Sequence, residues 1–354
     1  MGIIGYGLSA KVFHIPFVTA LSQDFEFTHI LQRRSRDALE KHPHVRLVTS
    51  PEDLYATDVD LIVVTTPPES HYALVKAALE AGKHVVCEKP FTATLAEAQE
   101  LVALADTSSA ILTVFHNRRW DGDFLTVKAL MEKNLLGRIV NFHSAMDRYK
   151  PTRQLTGSRA WKEQDAAAGG SLLDLGSHLV DQALHTFGKP STVYANILHQ
   201  RERTSVNNDF FSITLDYTPS DGPLVHLQAG NLVREGFSPR FRIDGTRGSL
   251  TKFGADVQEA QIRDDNMSPL DPEYGIDAQS DWLRVDSEVD GLHFVGNVET
   301  VKGDYSQFYM KLAYAIRTND KDAVGVKPTE ALEVMKVLDA ARQSGEEKKV
   351  IVYS

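Results

Sequence analysis

Gly2-Ile3-Ile4-Gly5-Tyr6-Gly7-Leu8-Ser9-Ala10 opens the chain with a short apolar run, a Gly-x-Gly-x-x-Ala turn, and then a segment of helical spacing. A strand that feeds such a turn and then a helix is the setting a dinucleotide-binding fingerprint requires. Gly5 permits the tight turn and Gly7 a close approach of backbone to pyrophosphate. The small Ala10 lets helix and strand pack, and helix N–H groups meet the negative charge. The competing reading is a structural turn without a ligand. Working outward, apolar runs at Gly2 to Ile4, Phe27 to Leu31, Arg46 to Val48, Leu61 to Thr65, His84 to Cys87 and Ala110 to Phe115 are β-branched or aromatic-rich, and helical patterns separate most of them. Tyr72 to Ala81, stopped by Gly82, and Thr94 to Ala105 have helical spacing. Successive βαβ units of this kind predict an α/β Rossmann domain, a doubly wound parallel sheet.

Past Trp120 the pattern changes. One helix, Phe124 to Asn134, precedes an alternating strand, Ile139 to Ala145, and a helix from Leu172 to Phe187. Val193 to His199, Phe210 to Tyr217, Leu224 to Leu232, Phe241 to Asp244 and Ser249 to Phe253 then read as strands between Gly, Pro or Asp turns. The expectation is an α+β C-terminal domain with a large open, mostly antiparallel sheet, and a division at 1–119 and 120–354. Residues 264–304 are acidic, carry Pro269 and Pro272, lack sustained periodicity, and are expected to form long surface excursions, solvated loops or else a substrate lid or subunit contact. Helices from Tyr305 to Thr318 and Thr329 to Ser344 and a strand from Lys349 to Val352 close the chain.

A length of 354 residues suits two domains. No window approaches the roughly 18 apolar residues of a membrane span. Met1 stands close to the first strand with no basic leader before it, so a soluble, cytoplasmic protein is expected. The single cysteine, Cys87, has no disulfide partner within the chain, in keeping with a reducing compartment. A formal net charge of -10, from 38 basic and 48 acidic residues, argues weakly against nucleic acid and anionic membrane as partners and leaves a small-molecule substrate open.

About 22 residues past Ala10, where an NAD enzyme usually places an acid for the ribose diol, the chain reads Gln32-Arg33-Arg34-Ser35. Two guanidiniums suit a ribose 2′-phosphate, so NADP(H) is favoured and NAD(H) possible; the alternative is surface arginines beside an NAD site. Thr66, Pro67 and His71 follow the fourth strand at the ligand edge of the sheet, where His71 is either a cofactor contact or a locally satisfied helix residue.

The fifth strand runs into Cys87-Glu88-Lys89-Pro90. A lysine at the ligand edge, locked by proline, is a candidate catalytic group, because an ammonium near the reacting carbon would stabilise a developing alkoxide. The alternative is an edge lysine paired with Glu88. In Gly169-Gly170-Ser171-Leu172-Leu173-Asp174-Leu175-Gly176-Ser177-His178, Asp174 and His178 stand i, i+4 on one helix face. Histidine is the natural proton acceptor near neutral pH, and a carboxylate one turn away fixes its tautomer. A purely structural pair is the alternative, and no partner cluster with metal-ligand spacing accompanies it, so no metal is expected.

Together these segments resemble the Gfo/Idh/MocA family of oxidoreductases, through the fingerprint at Gly5 to Ala10, the Glu88-Lys89-Pro90 motif, and a D-x-G-x-H motif at Asp174 to His178. Phe115 to Asp121, Trp161-Lys162-Glu163 and Asp256 to Glu259 resemble signatures of one bacterial and fungal branch. The resemblance implies a Rossmann domain joined to an open-sheet domain whose flat face often makes a dimer. It implies that Lys89 touches both substrate hydroxyl and nicotinamide, with the Lys89–Pro90 bond cis, that His178 is the general base, and that Asp174 orients it and binds substrate. On the same analogy Leu8, Ser9, Glu88, Asn117, Trp161 and Lys162 join the cofactor contacts, Lys162 standing where relatives often have arginine, and Arg118 and Tyr149 meet the substrate, the alternative for each being an interdomain packing or surface role.

The reading is hydride transfer between nicotinamide and a hydroxyl or carbonyl carbon of a sugar, polyol or related molecule. Two rivals remain: a catalytically silent NAD(P)- and metabolite-binding sensor, and a reductase of a non-sugar carbonyl or dihydrodiol.

Overall fold

The computed structural model describes residues 1–33, 35–156, 163, 169–234 and 238–353, which form two compact units. The first takes Met1–Asn117 with Gln258–Tyr274 and Asp304–Met335; the second takes Arg118–Val257, Gly275–Gly303 and Lys336–Ser354.

In the first unit six parallel strands, β1 (Gly2–Ile4), β2 (His29–Leu31), β3 (Arg46–Val48), β4 (Leu61–Val64), β5 (His84–Cys87) and β6 (Leu112–Val114), lie in the order 3-2-1-4-5-6. That order reverses direction between β1 and β4, and ligands of such sheets bind at the carboxyl ends beside that point. Ile3, Ile62, Val63, Val64, Val85 and Val86 are fully buried, as in a parallel sheet covered on both faces. The segments returning from late in the chain complete this core with aromatic rings. Phe308 meets Phe115 edge-on at 4.7 Å between centroids, and Tyr274 and Tyr305 both lie 6.1 Å from Phe17. Each such buried ring contributes about 1.5–3 kcal/mol.

The second unit is built on nine strands in the order 14-13-12-11-7-10-9-8-15: β7 (Ile139–Ala145), β8 (Thr192–Leu198), β9 (Phe210–Asp216), β10 (Leu224–Gly230), β11 (Phe241–Gly245), β12 (Gly248–Lys252), β13 (Leu283–Val289), β14 (Leu292–Val298) and β15 (Ile351–Val352). Among the described residues, β7 with β10 is its one parallel pair. Alternate residues such as Phe211, Ile213 and Leu215 are fully buried, so one face of the sheet meets the core.

The surface excursion expected over 264–304 contains two ordered strands, Leu283–Val289 and Leu292–Val298. β13 and β14 make a full antiparallel hairpin that extends the sheet beyond β12. Its two-residue turn is Asp290-Gly291, with φ of 52° and 77°. Asp-Gly is the preferred chemistry for a turn that needs two positive φ values, and the alternation Leu283, Val285, Ser287 inward was masked by charged residues at Arg284, Asp286 and Glu288 on the other face. The helix read as Leu172 to Phe187 is two pieces, a π-helical turn at Leu172–Gly176 and an α-helix at Ser177–Phe187. No helix among the described residues is long and apolar enough to cross a membrane.

Candidate active site

The glycine turn is held against the end of β4. Gly5 has φ 101°, and a Cβ there would stand 2.9 Å from Thr65 Oγ1, so the position admits no side chain. Gly7 has nothing within 4 Å of where a Cβ would be, which leaves the backbone open to a ligand. Leu8 and Ser9 are half-buried, Ala10 is buried, and the chain continues through a π-helical turn, Ala10–His14, into the helix Ile15–Ala20. Thr65 Oγ1 donates to Ile4 O at 3.0 Å, tying β1 to β4 beneath the turn.

At the end of β2, Arg33 is exposed, while Arg34 lies outside the described residues. The reading of this corner as free of acid overlooked Asp37, which accepts from Gln32 Nε2 at 2.6 Å, from the Ser35 hydroxyl, and from Lys11 Nζ at 3.3 Å. The Ser35 and Gln32 hydrogen bonds and the Lys11 ammonium hold this exposed carboxyl at about 2. Lys11 lies 4.2 Å from the Tyr6 ring centre. The carboxylate is thereby committed to its neighbours, two residues past the Gln32 to Ser35 stretch in which a diol-binding acid is sought.

Thr66 is half-buried and Pro67 exposed where β4 ends. His71 is fully buried, with Nδ1 3.0 Å from Pro90 O and Nε2 2.8 Å from Thr66 O. Burial pushes the imidazole pKa down, against the carbonyl contacts and the Glu88 charge that favour its protonated form. The ring thus clasps the turn after β4 to the turn after β5.

Lys89, half-buried, precedes a cis peptide to Pro90. Glu88 is buried and faces inward: Oε1 accepts from the Ser9 hydroxyl and lies 3.0 Å from His14 Nε2, while Oε2 accepts the Lys89 backbone N–H at 2.9 Å. Burial alone would raise its pKa, but the His14 hydrogen bond and charge, Lys89 and Ser9 outweigh it and bring the carboxyl down to about 2. Glu88 is therefore an anion at any physiological pH. Cys87, fully buried, has its thiol pKa pushed well up by burial and by Glu88 and is no nucleophile. Asn117 is buried at the start of a short 3-10 turn, Asn117–Trp120.

In the second unit, Gly169-Gly170 lies against Asn207 and Asn208 too closely for side chains at either glycine. Asn208 accepts the Ser171 and Leu172 N–H groups at 2.9 Å each, one on its carbonyl and one on its side chain, and so satisfies the start of the π-helical turn that bears Asp174. Asp174 Oδ2 lies 3.8 Å from Arg148 Nη2, a neighbour the sequence reading missed. His178 is buried on the α-helix that follows, and the next turn of that helix is pinned by polar contacts. Asp181 receives Arg119, and Gln182 donates to Arg118 O at 2.7 Å and accepts from Arg240 Nη2 at 2.8 Å. Arg118 also pairs with Asp121 at 3.3 Å. Tyr149 is exposed, with the Arg234 guanidinium 3.5 Å from its ring centre. Trp161 and Lys162 lie outside the described residues. Among the described residues no three His, Cys, Asp or Glu side chains gather as a metal site requires.

Fold and glycine loop together define an NAD-binding oxidoreductase. The family profile for oxidoreductases with an NAD-binding Rossmann fold matches residues 1–116, and that for their C-terminal alpha/beta domain matches residues 128–352. The chain belongs to the Gfo/Idh/MocA oxidoreductase family. It is 39% identical to an uncharacterized oxidoreductase of Schizosaccharomyces pombe, over 99% of this chain and 98% of that one. It is 36% identical to the scyllo-inositol 2-dehydrogenase (NADP(+)) IolW of Bacillus subtilis, over 99% and 95%. The solved structure of yvaA from Bacillus subtilis, which bears an oxidoreductase designation, superposes with a TM-score of 0.91 at 36% identity, covering 100% of this chain and 97% of that one.

Proposed function

We propose that the protein is an NADP(H)-preferring dehydrogenase or reductase acting on a CH–OH or carbonyl carbon of a sugar, polyol or related small molecule, with the cofactor held by residues 1–119 and the substrate by 120–354. Gly5, Gly7, Leu8, Ser9 and Ala10 would hold the pyrophosphate, Thr66, Pro67, Glu88, Lys89 and Asn117 the nicotinamide side, and Arg33 and Arg34 a 2′-phosphate. The space over Gly7 supports that fit. A bound nicotinamide supplies or accepts the hydride. His178 takes the proton of the substrate hydroxyl, or returns it in the reducing direction, and Asp174 orients the imidazole. Lys89 steadies the alkoxide through its ammonium, and Arg118 and Tyr149 contribute to substrate binding. A homodimer or higher homo-oligomer in the cytoplasm completes the proposal.

The observation that carries this reading is that Ser9 of the glycine loop and the backbone of Lys89 are fastened to one carboxylate, Glu88, so that phosphate loop and catalytic candidate share a frame. The similarity to a dehydrogenase named for NADP(+) and an inositol supports the cofactor and substrate class. The test is a fluorescence titration with NADPH and NADH, followed by oxidation and reduction assays against aldoses, polyols and keto-sugars. Turnover should fall by about 10²–10⁴ in His178→Ala, and Arg33→Ala with Arg34→Ala should raise the KM for NADPH. An unchanged KM would remove the NADP(H) assignment, and tight binding without any turnover would favour the sensor.

A further inference from the structure

Glu88 does not hold its position unaided. His14, fully buried, reaches it from the π-helical turn that follows the glycine loop, and the other side of the imidazole, Nδ1, lies 2.6 Å from the hydroxyl of Tyr309. Tyr309 is itself fully buried, 295 residues further along the chain, on a helix that returns to the first unit. Burial and the Glu88 charge push its phenol pKa well up, so it remains a hydroxyl. A carboxylate only accepts, so the proton between His14 and Glu88 belongs to Nε2, while Nδ1 faces the Tyr309 hydroxyl, a group able to donate or accept. The contacts run without a break from Tyr309 to His14 to Glu88.

The π-helical turn makes this possible. On a regular α-helix Ser9 and His14, five positions apart, would point about 140° away from each other. The wider turn over Ala10–His14 brings both side chains onto Oε1 of the same carboxylate. Its other oxygen holds the Lys89 N–H. An unsupported buried carboxylate would be costly and would turn toward any available donor; here both oxygens are spoken for.

We propose that His14, braced by Tyr309, is a positioning residue that acts through Glu88 to set both the Ser9 end of the dinucleotide loop and the backbone from which Lys89 extends. This rests on the proposed function in taking Lys89 as a catalytic group and Ser9 as part of the cofactor loop. It adds a relay that links them: disturbing His14 alters nucleotide affinity and turnover together, although His14 touches neither ligand.

The test compares His14→Leu, His14→Gln and Tyr309→Phe with the wild-type full chain, measuring thermal midpoint, Kd for NADPH and NADH by fluorescence, and kcat on whichever substrate the wild type turns over. Leucine fills the site without a donor, and we expect kcat to fall by about 10–100-fold and nucleotide Kd to weaken by about threefold or more. Glutamine places an amide donor near the Nε2 position and should restore most of both quantities. Tyr309→Phe, which keeps the His14–Glu88 bond, should lower kcat by about three- to tenfold; should His14→Leu fail to fold, this variant decides alone. A lowered thermal midpoint with kcat and Kd within twofold of wild type, or a glutamine variant no better than leucine, would overturn the relay. Wild-type protein that binds neither nucleotide would instead overturn the proposed function, which keeps the two failures apart.

Discussion

Arg119 grips Asp181 with two prongs, Nε to Oδ2 at 2.9 Å and Nη2 to Oδ1 at 2.6 Å, one helical turn beyond His178 and with both side chains almost wholly buried. Removing one partner leaves an uncompensated charge in the core. Arg119→Leu should therefore destabilise the protein by about 3–5 kcal/mol, and Arg119→Leu combined with Asp181→Leu by clearly less, because the desolvation penalty disappears with the second charge. Chemical denaturation of the two variants measures the difference; equal losses would mean the pair is not what holds this helix.

Gly5 and Gly7 separate stability from binding. Gly5→Ala forces a Cβ against Thr65 Oγ1 at φ 101° and should lower the thermal midpoint. A Cβ at Gly7 meets nothing within 4 Å, so Gly7→Ala should leave the midpoint near wild type while weakening nucleotide binding, since the added methyl occupies the space a pyrophosphate needs. A titration in which Gly7→Ala binds NADPH as tightly as wild type would remove the loop from the cofactor site.

Acid stability follows from Glu88. Its folded pKa of about 2 lies below the ordinary 4.5, so its contribution is fully present above pH 4.5 and disappears as pH falls toward 2. Urea midpoints measured across that window should fall with a shallower slope in Glu88→Gln than in wild type. His71, lowered by burial from 6.5, acts in the same direction at higher pH: the unfolded imidazole protonates first, so stability is lost as pH falls below 6.5.

The Asp290-Gly291 turn offers a backbone test free of packing. Nothing lies within 4 Å of a Cβ at Gly291, yet φ is 77°. Gly291→Val should cost about 1–2 kcal/mol from the backbone alone, read as faster amide exchange along β13 and β14. Unchanged protection would mean the hairpin is held by its ladder regardless of turn chemistry.

Much of this was legible along the chain. The parallel sheet announced itself because its central strands are short, buried on both faces and rich in apolar residues, as at Leu61 to Val64. The hairpin of β13 and β14 did not, because at the rim of the sheet charged residues face outward and imitate a loop; the Asp290-Gly291 pair was the signal to weigh. Asp37 was passed over because it stands beyond the usual position, at the start of the next helix. The partners of Glu88 were beyond reach for another reason. Ser9, His14 and Tyr309 are 79, 74 and 295 residues from their contacts, and the turn that aligns the first two departs from helical periodicity. Arg148 beside Asp174 was hidden likewise, since nothing local marks a strand-end arginine as the neighbour of a carboxylate far along the sequence.

The return of Gln258–Tyr274 and Asp304–Met335 to the first unit has a bearing on how the protein is born. On the ribosome, Met1–Asn117 emerges with its six strands long before the rings of Tyr274, Tyr305, Phe308 and Tyr309 that cover Phe17, Phe115 and His14 have been made. The nascent sheet must wait with an open flank while the whole of the intervening strand-rich region is synthesised, at about 5–20 residues per second. A nucleotide that engages the glycine loop during that interval would act as a folding aid as well as a reactant, and a chain cut short before residue 304 would leave the aromatic flank uncovered for good.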